Sequence, residues 1–132
     1  MVFALLAFLT AVAHLSFILF VIFGGFIVAR RPRLAPVHLA CAAWGAYVSL
    51  ANRICPLTPL ENWFRERGGG TGYGGDFLEH YLLAILYPTG LTASTQRALG
   101  VAVIVLNAGV YAWILRTRRY RAPSATVTRP EP

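Results

Sequence analysis

His14, Glu79 and His80 are the side chains in this sequence whose types could do chemistry together. Two imidazoles and a carboxylate can hold a divalent metal, and two imidazoles can hold a haem iron axially. His14 stands inside a long apolar run and His80 about one turn into a later one, and an ionisable group at such a position is costly unless it is used. No fixed ligand spacing ties the three together. In an antiparallel bundle about two turns of height separate the two rings. Metal or haem binding is therefore an alternative, and no cofactor is expected.

Cys55, Glu61 and Asp76 are the candidates for a small membrane enzyme, but none is a nucleophile with a base identifiable from the sequence. Cys41 and Cys55 lie about 21 Å apart if they share one continuous helix, too far to pair, and read as small apolar fillers. His38, Ser49 and Asn107 could line a proton or solute pathway. Too few helices are present for a transporter built from two repeated halves.

The elements that must position these residues belong to a membrane protein. Of 132 residues, 57% are hydrophobic and 13% charged, whereas soluble chains average roughly 45–50% and 25%. All 12 basic residues are arginines, against five acids, for a net charge of +7. Most of them flank apolar runs at headgroup height, where anionic lipid attracts them. No polar face interleaves basic and aromatic residues, so nucleic acid is not an expected partner.

The expected fold is an all-α, four-helix transmembrane bundle, with a short third span and a short interfacial helix between spans two and three. Residues 1–121 form one domain with spans about 3–29, 37–55, 76–92 and 95–115; 122–132 is a tail. The basic cluster Arg30, Arg31, Arg33 follows the first run instead of preceding it, which is the wrong order for a cleaved signal peptide. Thr10, His14, Phe17, Val21, Gly25 and Val28 form one inward stripe of the first helix. His38, Cys41, Gly45, Ser49 and Asn52 form another on the second, with Trp44, Tyr47 and Val48 facing elsewhere. Gly100, Val103, Asn107 and Tyr111 mark the inner side of the last.

The structural motif between the spans begins at Cys55. Pro56 should end the second helix, with Thr58 as N-cap, Pro59 at the first helical position and Glu61 at capping-box spacing. The interfacial helix over about 59–67 carries Asn62, turns Leu60, Trp63 and Phe64 to one face, and pairs Glu61 with Arg65 on the other. The glycines from Gly68 to Gly75 have neither the preceding strand nor the Lys-Ser/Thr of a phosphate-binding loop and read as a connector. Asp76 and Glu79 repeat the capping pattern, Tyr87-Pro88 closes the marginal third run, and Thr92 can cap the last helix. Arg116, Arg118, Arg119 and Arg121 end that helix, and the tail beyond has no periodicity. Charge counting separates eight arginines from four in two arrangements: four spans with the N-terminus inside, and three spans with a re-entrant Asp76 helix and the N-terminus outside. The four-span arrangement is the expectation.

The words CPLTPLEN, GY-GG-FLEHYL and LYPTGLT, with FILFVIFGG and HLACAAWG, resemble a family of small bacterial membrane proteins catalogued only as a domain of unknown function. The resemblance covers about Leu15 to Trp113. It implies a helical fold in a bacterial cytoplasmic membrane, multi-pass, and brings no established activity from which a catalytic residue could be carried over. The expected role is an accessory or scaffolding subunit. It would pack against a larger membrane complex, respiratory or photosynthetic, with its arginines on lipid headgroups or partner carboxylates.

Overall fold

The computed structural model describes residues 1–83 and 92–120; the side chains of 82, 83, 119 and 120 are outside that description. Its helices are α1 (Val2–Arg30), α2 (Ala35–Leu50), α3 (Leu57–Arg67) and α4 (Ala93–Tyr120), with a 3₁₀ turn at Pro32–Leu34 and a π-helical turn at Glu79–Leu83. Two of these, α1 and α4, are long and apolar enough to cross a membrane.

The α1 helix has 29 residues, about 43 Å of length, and turns an inward stripe that contains the expected residues Thr10, His14, Val21, Gly25 and Val28. Its outward residues Leu5, Phe8, Leu19 and Phe23 are about half exposed. With the tight Pro32–Leu34 turn behind it, α2 returns antiparallel to α1. A Cβ on Gly24 would fall 2.9 Å from His38 Nε2, and Gly45 sits opposite Val21 and Phe17. The buried stripe of α2 is His38, Ala42, Ala46 and Val48. Val48, expected to face elsewhere, is inside.

The second helix stops at Leu50, five residues short of its expected end at Cys55. Pro56 is not what ends it. Asn52 adopts φ 53°, the left-handed conformation that asparagine tolerates better than most residues. Its N–H donates to Ser49 O at 3.3 Å while Arg53 N donates to Val48 O at 2.9 Å, which is a Schellman termination. The 16 residues of α2 reach about 24 Å, less than a hydrocarbon core of roughly 30 Å.

The short helix α3 continues that return path along the first half of α1. Its Thr58 end meets His14 through Asp76 and Phe77, and its far end meets the start of α1, with Trp63 on the Phe3 ring and Gly68 against Ala4 N. It therefore lies antiparallel along α1, where the sequence suggested a helix in the membrane plane. A second Schellman termination closes it, with Gly69 left-handed at φ 83° and Gly70 N donating to Arg65 O.

The last helix begins where Thr92 accepts from Thr95 N, as expected of an N-cap. It runs parallel to α1. Asn107 Nδ2 donates to Val21 O, Val110 packs on Gly25, and Arg118 Nη2 donates to Ala29 O. At its start Gln96 Nε2 donates to Arg53 O. Both ends of the stretch 51–92 thus stand at the same end of the bundle, where a single third span would carry them to opposite ends. Of the four expected spans, α1 and α4 are long and apolar enough to cross a membrane, and the expected third span, 76–92, lies in part outside the described residues. Tyr87, Pro88, Arg121 and the tail lie outside the described residues.

Candidate functional site

Glu61 is the centre of a polar cluster between α3 and the segment after it. The residue is fully buried. Its Oε1 accepts from Arg65 Nε at 2.9 Å and from the Tyr81 hydroxyl at 2.7 Å, and its Oε2 accepts from the Tyr73 hydroxyl at 2.9 Å. Arg65 also bonds to Tyr81. A buried carboxylate needs this saturation, because leaving it unpaired costs more than the individual bonds contribute.

The expected Glu61–Arg65 pair is present, but Glu61 faces inward. Leu60 and Trp63, the apolar residues of the same helix, are more than 40% exposed. The amphipathic helix is turned polar side in. The capping reading of this segment also fails: α3 starts at Leu57 with no side-chain cap, and Thr58, almost fully buried, donates its hydroxyl to Asp76 Oδ1 at 3.4 Å. Asp76 Oδ1 in turn accepts from Phe77 N at 2.7 Å, so it does start the next helical turn, two residues nearer than a capping box requires.

Asn62 holds the glycine-rich segment in place by pairing both backbone groups of Tyr73, Nδ2 to Tyr73 O at 2.8 Å and Tyr73 N to Oδ1 at 3.1 Å. Burial, then the hydrogen bond to Glu61, pushes the Tyr73 phenol well above its ordinary pKa, and Tyr81 moves the same way for the same two causes. Both hydroxyls stay protonated donors. The expected connector is therefore a clamped loop, and no local spacing in the sequence marks Tyr73 and Tyr81 as partners of the acid.

His14 and His80 are not brought together. His14 stacks on Phe77 at 4.3 Å, Phe77 on Tyr81 at 4.6 Å, and His80 lies flat on Tyr73 at 3.9 Å. Phe77 and Tyr81 thus stand between the two imidazoles. Glu79 folds back over Gly75. Among the described residues no group of three His, Cys, Asp or Glu side chains could hold a metal ion. The metal or haem reading from His14, Glu79 and His80 has no geometric support.

A cavity of about 700 Å³ opens between α1, α2 and α4. Among the described residues its wall is apolar along Phe17, Val21, Trp44, Val103 and Leu106, and carries His14, Cys55 and Asp76 towards the α3 end. His14 is 3% exposed, with Nδ1 lacking a hydrogen-bond partner. Burial pushes the Cys55 thiol up, away from the thiolate a nucleophile needs, and Trp44 hydrogen-bonds to it.

The proposed polar pathway does not form among the described residues. His38 is fully buried, with Nδ1 3.0 Å from the Tyr111 hydroxyl and Nε2 unpartnered against Gly24. Ser49 packs beside Gly100, some 16 Å along α2 from His38. Both hydrogens of the Asn107 amide are spent on the carbonyls of Val21 and Val103. At the opposite end from Glu61, Arg30, Arg31, Arg33 and Arg116 gather around the Arg118–Ala29 contact.

No curated protein and no solved structure matches the chain. Residues 4–112 match the model of a family described as a protein of unknown function, DUF2784, and with this all-helical fold the chain belongs to that family.

Proposed function

We propose that this chain is a multi-pass protein of the bacterial cytoplasmic membrane, crossing three times, and that it serves as an accessory subunit packed against a larger membrane complex. The observation that carries the topology is the parallel course of α1 and α4. It gathers Arg30, Arg31, Arg33, Arg116 and Arg118 at one end, while Arg53, Arg65, Arg67 and Arg97 belong to the other. With Arg119, Arg121 and Arg129 following in sequence, eight arginines oppose four. The positive-inside rule then favours a cytoplasmic α4 C-terminus and an outer N-terminus.

The apolar run 98–115 of α4 sets the depth. Through the Asn107–Val21 contact it corresponds to about residues 12–29 of α1, some 27 Å of rise. The Glu61 cluster then stands at the outer boundary among Phe3, Trp63, Tyr73 and Tyr81, aromatic residues suited to the interface.

Support for a partner comes from α4. Gly109 and Ala112 stand exposed as small residues three apart on α4, and a Cβ on Gly109 would meet nothing within 4 Å. Small residues let a second helix approach closely in lipid. Arginines at the cytoplasmic end supply headgroup or carboxylate contacts.

Single cysteines at Gly70 and at Arg33, in a chain with Cys41 and Cys55 replaced, test the topology by labelling whole cells with a membrane-impermeant maleimide. Gly70→Cys should label and Arg33→Cys should not until cells are broken; the reverse pattern, or Arg33→Cys labelling as readily as Gly70→Cys, rejects it. Gly109→Leu should release a co-purifying membrane complex without lowering the melting temperature of the isolated chain. A chain that migrates as a lone monomer from mild detergent, with or without that substitution, removes the accessory role.

A further inference from the structure

The cavity between α1, α2 and α4 has two unlike ends. Its body runs past Val21, Val103 and Leu106, and its volume of about 700 Å³ falls within the roughly 300–1,000 Å³ of small-molecule sites. Towards α3 the wall carries His14 and Asp76. His14 is 97% buried and its Nδ1 has no partner, which is costly for an imidazole in such surroundings and would be relieved by a hydroxyl from a ligand.

The sign of the local charge narrows the ligand. Asp76 lies on the wall and Glu61 is within electrostatic reach of His14. The nearby cation, Arg65, is already engaged by Glu61 and Tyr81. A carboxylate or phosphate head would meet like charge with no free counter-ion among these groups. An uncharged head would not.

We propose that this cavity binds an uncharged long-chain amphiphile, its hydroxyl or phenolic end against His14 and its apolar body along Val21, Val103 and Leu106. The membrane depth inferred above suits such a ligand, since His14 falls near the outer boundary and Val21 and Leu106 fall deeper. The depth of the ligand in the bilayer rests on that reading; the site does not, and its test runs in detergent, where failure of the topology would leave it untouched.

Trp44 lines the cavity and reports on it. In a full-length chain carrying Trp63→Phe and Trp113→Phe it is the sole tryptophan. Titration with 12-bromododecanol should quench its fluorescence saturably, and ionised 12-bromododecanoate should bind about tenfold more weakly or worse, a difference of about 1.4 kcal/mol. Ala102→Phe, which fills the cavity from its α4 wall, should abolish the saturable phase. His14→Phe keeps a ring in place and should erase the preference for the alcohol over 1-bromododecane. Quenching that rises linearly with every probe, equal binding of the acid, or an alcohol preference that survives His14→Phe would each overturn the site. If a variant does not fold, the alcohol-against-acid comparison in the parent chain decides.

Discussion

The Tyr73 hydroxyl donates to Glu61 Oε2 at 2.9 Å, and the residue next to Glu61, Asn62, holds the Tyr73 backbone from both sides. One turn of α3 thereby anchors the glycine-rich loop at Tyr73. The carboxylate is the hub of that arrangement and the tyrosine its far anchor.

Removing the hub should be expensive. Glu61→Ala strands Arg65, Tyr73 and Tyr81 as donors, at ~1–3 kcal/mol for each that stays buried. Glu61→Gln keeps an acceptor oxygen and should cost less. Thermal unfolding in detergent should rank the parent above Glu61→Gln and Glu61→Ala lowest; a Glu61→Ala chain melting with the parent would show that the cluster holds nothing together.

The same cluster predicts alkaline sensitivity. The folded Tyr73 phenol titrates above its ordinary value of 10.0, so between the two values the folded chain binds the proton more strongly than the unfolded one. Stability from this group is complete below about pH 10 and is lost as pH rises past it. Tyr73→Phe should flatten that alkaline decline in the melting temperature while lowering stability at neutral pH; an unchanged slope would mean the phenol is not perturbed.

Asn52 gives a backbone prediction. At φ 53° it occupies a conformation costing other non-glycine residues roughly 1–3 kcal/mol, and β-branched residues most. Asn52→Gly should leave the chain as stable or slightly more so, and Asn52→Val should destabilise it. Chemical denaturation of the two variants side by side checks the order.

Two helical glycines should respond oppositely to the same change. A Cβ at Gly24 would press on the rings of His38 and Phe20, whereas one at Gly109 meets open space. Gly24→Ala should cost ~1–3 kcal/mol by overpacking, and Gly109→Ala should stabilise the isolated chain by up to about 1 kcal/mol through helix propensity. Equal effects at the two positions would contradict the packing described.

The sequence by itself determined the apolar helices, the inward stripes of α1 and α4, the Thr92 cap and the Glu61–Arg65 pair, because each rests on residues three or four apart within one helix. It also carried the family, whose model spans residues 4–112. It did not determine that a turn at Asn52 ends α2 at Leu50, since a left-handed asparagine reads like any other until the backbone is seen and Pro56 is the louder signal. Nor could it show Glu61 turned inward, because in lipid the rule that polar faces look outward has no water to enforce it. Above all, the direction of α4 relative to α1 was undecided: charge counting gave the same eight-to-four score for two arrangements. Only tertiary contacts between residues far apart in the chain, Asn107 with Val21 and Gln96 with Arg53, distinguish parallel from antiparallel. The physical reason is that helical periodicity is local, whereas the hand and direction of a bundle are properties of which distant surfaces fit.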